Sequence, residues 1–326
     1  ILLAPITVVG AVGNVLSIKT FFRLGISDGV NLSLLSLAAS YLFYLITALI
    51  TAISLMFLGV EELSGYKVRF ALDPETFLMI STNTGSGFYA TSMLVTTFIT
   101  VVRCLAVARP LKYRNLISRK TTAIILLFFT VLSVISAVLM LIFVDILPQF
   151  GSKTNTTRPT PWLSPQQALI KDVIFGIRDM ILPLTSQIIV GICVVIMARY
   201  LHKASNFRKT ISSNIDTLTK ISMVADPHTR NVTNNPASAK VAGKEIQVVQ
   251  QMLLIAVVYS LCNMPKVVFN MTQIILPEFY TGGRYSALFS TFNFLRELIQ
   301  SVNASVTIFI YWKYNSKFRN HFVLQH

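Results

Sequence analysis

The chain has 326 residues, 53% of them hydrophobic and only 13% charged, with a mean hydropathy of +0.64. Soluble domains carry about 25% charged residues, so this balance excludes an ordinary soluble protein, a disordered chain and a nucleic-acid binder, and points to a membrane protein. The net charge of +15 then reads as an orientation signal carried by loops rather than as an affinity for phosphate.

A membrane span needs about 20 mostly apolar residues to cross a hydrocarbon core of roughly 30 Å. Seven stretches meet or approach that need: 2–22, 31–59, 76–108, 121–147, 168–202, 246–276 and 286–312. Each is too long for a strand and is bounded by polar or turn residues such as Gly25, Ser27, Asp28 and Gly29 after the first. The expected fold class is therefore all-α, one seven-helix membrane bundle over 1–326. The third stretch opens on polar Ser81, Thr82, Asn83 and Thr84, and the fifth contains Arg178 and Asp179. Between 204 and 242 the periodicity is lost among Ser, Thr, Asn and Lys, which predicts a flexible loop. After the seventh stretch Phe318 and Phe322 stand four apart beside Lys317 and Arg319, which predicts a short amphipathic helix over about 315–323 on the bilayer surface.

Most of the 28 basic residues fall in the loops after spans one, three, five and seven, including Lys19, Arg23, Arg114, Lys120, Arg208, Lys240 and Lys313. The opposite loops offset their few bases with Glu61, Glu62, Asp73, Glu75 and Glu278. By the positive-inside rule the chain starts outside a plasma membrane and ends in the cytoplasm. Ile1 at the start, in place of methionine, adds the expectation that an outer segment has been trimmed away. Asn155-Thr156-Thr157 lies in an outer loop and is the expected glycan site, whereas Asn231-Val232-Thr233 lies on the wrong side. Cys104, Cys193 and Cys262 have no scaffold or metal spacing, and no cofactor is expected. His202, His228, His321 and His326 all fall on the cytoplasmic side, and no His-Glu-x-x-His helix or facing aspartate pair occurs, so an enzyme is not expected.

Five local patterns carry a resemblance. Gly13-Asn14-Val15-Leu16-Ser17 lies in span one, and Val102-Arg103-Cys104-Leu105-Ala106-Val107 leads into Pro110-Leu111-Lys112-Tyr113. Pro183 stands in span five, Tyr259-Ser260-Leu261-Cys262-Asn263-Met264-Pro265 in span six, and Thr307-Ile308-Phe309-Ile310-Tyr311 in span seven ahead of Lys317-Phe318-Arg319. In this order, over nearly the whole chain, they resemble the GNxxS, DRYLAVxxPLxY, FxxCWxP and NPxxY signatures of rhodopsin-like G-protein-coupled receptors. The phrasing around Gly25 to Asn31 and Asn315 to Arg319 resembles divergent invertebrate, even molluscan, peptide or chemosensory receptors.

The resemblance implies a partner, a heterotrimeric G protein, and activation positions at Arg103, Glu245, Tyr259, Asn263, Pro265 and Tyr311. Arg103 has a physical rationale of its own, since an arginine at the membrane edge is costly unless it faces the bundle or snorkels. Glu245 stands where the family carries an acidic partner for that arginine, so a resting pair would hold spans three and six together and its release would open an inner pocket. Pro183 and Pro265 each remove a helix hydrogen bond and permit a bend. Asn14 and Asn303 read as polar links between helices. The sequence also departs from the signatures: Val102 replaces the acid before the arginine, Tyr41 the span-two aspartate, Asn263 the tryptophan, and Thr307-Ile308 the Asn-Pro pair. Leu78 replaces the outer cysteine of span three, so the family's outer-loop disulfide is not expected.

Gly85 stands where amine receptors carry an aspartate and Ser301 where opsins carry their lysine, so neither an amine receptor nor a photoreceptor is expected. Charges within a span normally face a cavity or pair with one another. Arg178, Asp179, Lys266, Arg296 and Glu297, with Gln300, Phe292 and Phe294 nearby in sequence, are the candidate site for an extracellular charged or zwitterionic ligand such as a peptide. A structural Lys266 to Glu297 bridge is the plain alternative. A non-signalling seven-helix binding receptor would share every span, whereas a transporter would show inverted repeats, and no similarity between halves is visible.

Overall fold

A computed structural model describes residues 2–25, 28–68, 70, 73–108, 118–142, 144–151, 156–163, 172–222, 236–280, 283–315 and 318–320, with side chains described outside 204–246 and outside most of 144–163. The helices are α1 (Leu3–Leu24), α2 (Gly29–Leu63), α3 (Pro74–Ala108), α4 (Arg119–Ile142), α5 (Leu182–Ser222), α6 (Pro236–Ile275) and α7 (Ser286–Tyr314). A π-helical turn, Phe175–Ile181, runs directly into α5. Six of these segments are long and apolar enough to cross a membrane. The remaining one, α7, carries Arg296, Glu297, Gln300 and Asn303 in its middle, and takes its place by packing on α1, α2 and α6.

Local chemistry sets the element ends. Gly25 closes α1 with φ +86°, a region that a side chain disfavours. Asp28 caps α2 by accepting the Val30 N–H at 3.2 Å. Span four ends at Ile142, short of the expected 147, and from Val144 the chain is extended instead. The chain there forms strand β1 (Val144–Gly151), antiparallel to β2 (Thr156–Leu163), with Val144 opposite Leu163 and Gly151 opposite Thr156. Span five is helical from Asp172 onward, and 168–171 lie outside the described residues.

The loop expected over 204–242 is corrected at both ends: α5 stays helical to Ser222 and α6 is already helical at Pro236. Once a helix is nucleated each further residue adds one hydrogen bond, so a polar sequence extends it beyond the apolar span at little cost. Of the expected helix over 315–323, Asn315 is the extended cap of α7, the turn Phe318–Asn320 is helical, and 316, 317 and 321–323 lie outside the described residues.

The most central element is α3, packed on α2, α4, α5 and α6. The interior is lined by five tyrosines, Tyr41, Tyr44, Tyr89, Tyr259 and Tyr311, each at most 2% exposed. Leu127, Phe128 and Val131 of α4 and Ile188 and Ile192 of α5 point outward, as hydrocarbon-facing side chains do. At the α1–α7 contact a Cβ on Gly10 would meet Ser305 Oγ at 2.0 Å, so only glycine admits this approach. Asn14 Nδ2 donates across the same contact to the Ala304 carbonyl at 3.0 Å, and Asn303 Nδ2 donates to Tyr41 Oη at 3.0 Å. Both asparagines thus link helices, as their place in apolar spans implied.

Candidate functional site

Two groups of polar residues stand out, one toward the hairpin end of the bundle and one at the opposite end beside Arg103. The first begins where the π turn meets α5. A proline at 183 lacks the N–H that would return to the Asp179 carbonyl, and Asn270 Nδ2 of α6 donates to that carbonyl instead. The π turn buries two successive charged residues, Arg178 at 6% and Asp179 at 4% exposure. Arg178 Nε and Nη2 donate to Asp179 Oδ2 at 3.1 and 2.9 Å, and Lys266 Nζ donates to Asp179 Oδ1 at 3.0 Å.

A second ion pair lies on α7, where Arg296 Nη2 donates to Glu297 Oε1 at 2.9 Å and Tyr44 Oη donates to Glu297 Oε2 at 3.1 Å. Aromatic rings connect the two pairs. Lys266 Nζ stands 5.7 Å from the Tyr89 ring centroid, Tyr89 packs on Tyr44 at 5.1 Å, and the Arg296 guanidinium stands 5.4 Å from the Phe269 centroid. The result is one buried layer built from α2, α3, the π turn, α6 and α7. The Lys266 to Glu297 bridge, the plain alternative to a ligand site, is not its organising contact. Lys266 pairs with Asp179 because the π turn presents that carboxylate to α6, while Glu297 is occupied by its own neighbour Arg296 and by Tyr44.

Gln300, one turn beyond Arg296 on α7, is 3% exposed and belongs to the layer. Phe292 and Phe294, expected beside it, do not. Phe292 is 40% exposed and its ring stands 6.3 Å from Phe279, and Phe294 lines an apolar cavity of about 190 Å³ with Leu3, Ala52, Leu55 and Met56. Tyr44, Tyr89 and Asn270 are the members that sequence reasoning missed. Their only signal was a polar group inside an apolar span, a feature shared with many residues that simply bond their own helix.

The second group lies at the Arg103 end. Arg103 lines a cavity of about 220 Å³ with Asp28, Asn31, Gln247, Gln251 and Tyr314. It also borders a smaller cavity of about 60 Å³, to which Val102 presents an apolar side chain. Tyr311 is fully buried, its ring edge-on to Phe21 at 5.2 Å and 5.7 Å from Phe318, so the last helical turn is tied to α1 and α7. Glu245 lies on the described backbone of α6, but its side chain is outside the described residues, as is Asn155 altogether.

Between the two groups Tyr259 Oη is 2.8 Å from Ser186 Oγ of α5 and accepts from Asn263 Nδ2 at 3.4 Å. Pro265 follows in the interior of α6. Tyr259 and Asn263 thus occupy the stretch of α6 between the charged layer and the Arg103 cavity. Among the described residues no cluster of His, Cys, Asp or Glu is arranged to hold a metal ion. All three cysteines are free, Cys104 and Cys193 buried together against Met197 and Val249.

No curated protein matches the sequence. The model of the seven-transmembrane receptor, rhodopsin family, matches residues 29–311, from the first residue of α2 to Tyr311 in the last turns of α7. With that match spanning most of the chain, and with a bundle whose charged layer and Arg103 cavity lie toward opposite ends, this chain belongs to the rhodopsin family of seven-transmembrane receptors.

Proposed function

We propose that the chain is a plasma-membrane receptor, with its start outside and its end in the cytoplasm, that takes an extracellular charged or zwitterionic ligand and activates a heterotrimeric G protein. The observation that carries this reading is the Lys266–Asp179 bond at 3.0 Å, made by α6 one residue after Pro265. A ligand that exchanges partners with this pair acts on α6 at a point where a helix hydrogen bond is already missing, so binding energy is directed at the bend. The far end of α6 contributes Gln247 and Gln251 to the Arg103 cavity. A swing of that end widens the cavity, and a widened cavity is the place for a G-protein helix.

The charge distribution of the loops supports the orientation, and a peptide is a natural ligand because it brings a charged terminus together with a polar backbone. Cells expressing the full chain should be exposed to a peptide library and read by G-protein dissociation, with Arg103→Ala as the comparison. A response lost in Arg103→Ala at unchanged surface level supports the assignment. A ligand that binds at the surface without any dissociation, in either form, assigns the chain instead to a binding receptor that does not signal.

A further inference from the structure

The charged layer does not balance. Among the described residues it contains three cations, Arg178, Lys266 and Arg296, and two carboxylates, Asp179 and Glu297, all less than 9% exposed. Glu61, the other buried carboxylate among them, lies at the far turn of α2, where it accepts the Phe70 N–H at 2.9 Å, outside this layer. Arg178 shares the Asp179 carboxylate with Lys266, and Arg296 stands over Phe269, three residues from Lys266 on α6, so the excess positive charge is concentrated in one region. Four donors there have no hydrogen-bond partner among the described residues: Tyr89 Oη, Arg178 Nη1, Arg296 Nε and Gln300 Nε2. Arg296 and Gln300, four residues apart, share one face of α7. The two carboxylates already bind Arg178, Lys266, Arg296 and Tyr44.

A buried, uncompensated charge and unpaired donors are both expensive, and a single group relieves both when it is an anion with acceptor oxygens. A carboxylate meets that description, since it is planar, accepts from more than one donor and suits a guanidinium. We infer that this layer receives a carboxylate of the activating ligand, with Arg178, Arg296 and Gln300 as its donors. The inference rests on the receptor reading above and narrows it from a charged ligand to an anionic one. The carboxylate has two sources, the free C-terminus of a peptide or a small organic acid.

The test uses the full chain, in lipid nanodiscs for thermal unfolding and in cells for G-protein dissociation. The probes are a peptide library made twice, as C-terminal acids and as C-terminal amides, and a panel of small organic acids with their amides. Acids should raise the unfolding temperature and trigger dissociation, and each amide twin should be at least about tenfold weaker, the loss expected from one charge-assisted contact. Arg296→Lys, which keeps the charge but removes the fork, and Gln300→Met, which removes a donor without changing charge, should each weaken the acids by about tenfold at unchanged surface level.

Activity confined to peptide acids identifies the C-terminus as the source, and activity of the small acids alone identifies a free organic acid. Amides as effective as acids, or acids indifferent to both variants, overturn the inference. Stabilisation by acids without dissociation keeps the anion site and removes the signalling assignment. Dissociation driven only by amides or cations keeps signalling and removes the anion site, as does the failure of every acid to stabilise the chain.

Discussion

Lys266 Nζ lies 3.0 Å from Asp179 Oδ1, and this bond ties the helix that contains Pro265 to the π turn that precedes Pro183. Both partners are buried and both belong to larger sets, Asp179 to the fork of Arg178 and Lys266 to the face of Tyr89. The two sides of the bond are therefore not equivalent. Removing the lysine leaves Arg178 and Asp179 as a neutral pair, whereas neutralising the aspartate strands two cations.

Asp179→Asn should accordingly be the more damaging change. Breaking a buried ion pair costs about 3–5 kcal/mol, and Asp179→Asn should fall in that range while Lys266→Met costs less. Thermal unfolding of the purified receptor in nanodiscs checks the order. Equal losses, or a larger loss for Lys266→Met, would show that Arg178 does not hold Asp179 on its own.

The α1–α7 contact makes a packing prediction that is independent of charge. Gly10→Val should cost about 1–3 kcal/mol by overpacking, because a Cβ at Gly10 meets Ser305 Oγ at 2.0 Å. Gly59→Val is the control, since nothing lies within 4 Å of a Cβ at Gly59. Surface level and unfolding temperature should fall for the first variant and hold for the second.

At the Arg103 end, a resting Arg103–Glu245 pair would restrain α6. Glu245→Ala is then expected to raise ligand-independent G-protein dissociation, and Arg103→Ala to abolish coupling at normal surface expression. Because Val102 supplies no neighbouring carboxylate, the Glu245 effect should be large. Basal dissociation that does not change in Glu245→Ala removes the pair from the mechanism.

Orientation is checked with an epitope inserted near Asn234. Antibody should reach it only after permeabilisation, as the basic loops require. Labelling on intact cells would invert the topology and place the Arg103 cavity outside.

All three cysteines are free, so surface expression and ligand response should withstand a mild reducing agent. A response lost under reduction would mean that a disulfide forms after all, within the chain or between chains.

Much of this was legible in the sequence. Long apolar runs dictate helices, because a backbone in hydrocarbon must satisfy its hydrogen bonds within the segment. Pro183, Pro265, Gly13-Asn14 and Arg103 announced themselves by being unusual in such runs, and the buried charges of spans five, six and seven did the same. The limits of the helices were less legible. The polar extensions to Ser222 and from Pro236 carry no apolar stripe, and the hairpin after Ile142 opens on Val144, Ile146 and Leu147, which read as a continuation of the span.

Pairing within the site is what only the tertiary structure decided. Sequence spacing offered Lys266 and Glu297 as partners, but which charges meet depends on how the helices rotate and on the extra residue that a π turn inserts. That turn brings Asp179 to Lys266, and the approach of α2 to α7 brings the Tyr44 hydroxyl to Glu297. The sequence alone determined that charges would be buried among apolar helices, because no other place exists for residues 178, 266 and 296. The fold determined their partners, because a hydrogen bond is made only over about 3 Å and no one-dimensional pattern encodes which helix faces come that close.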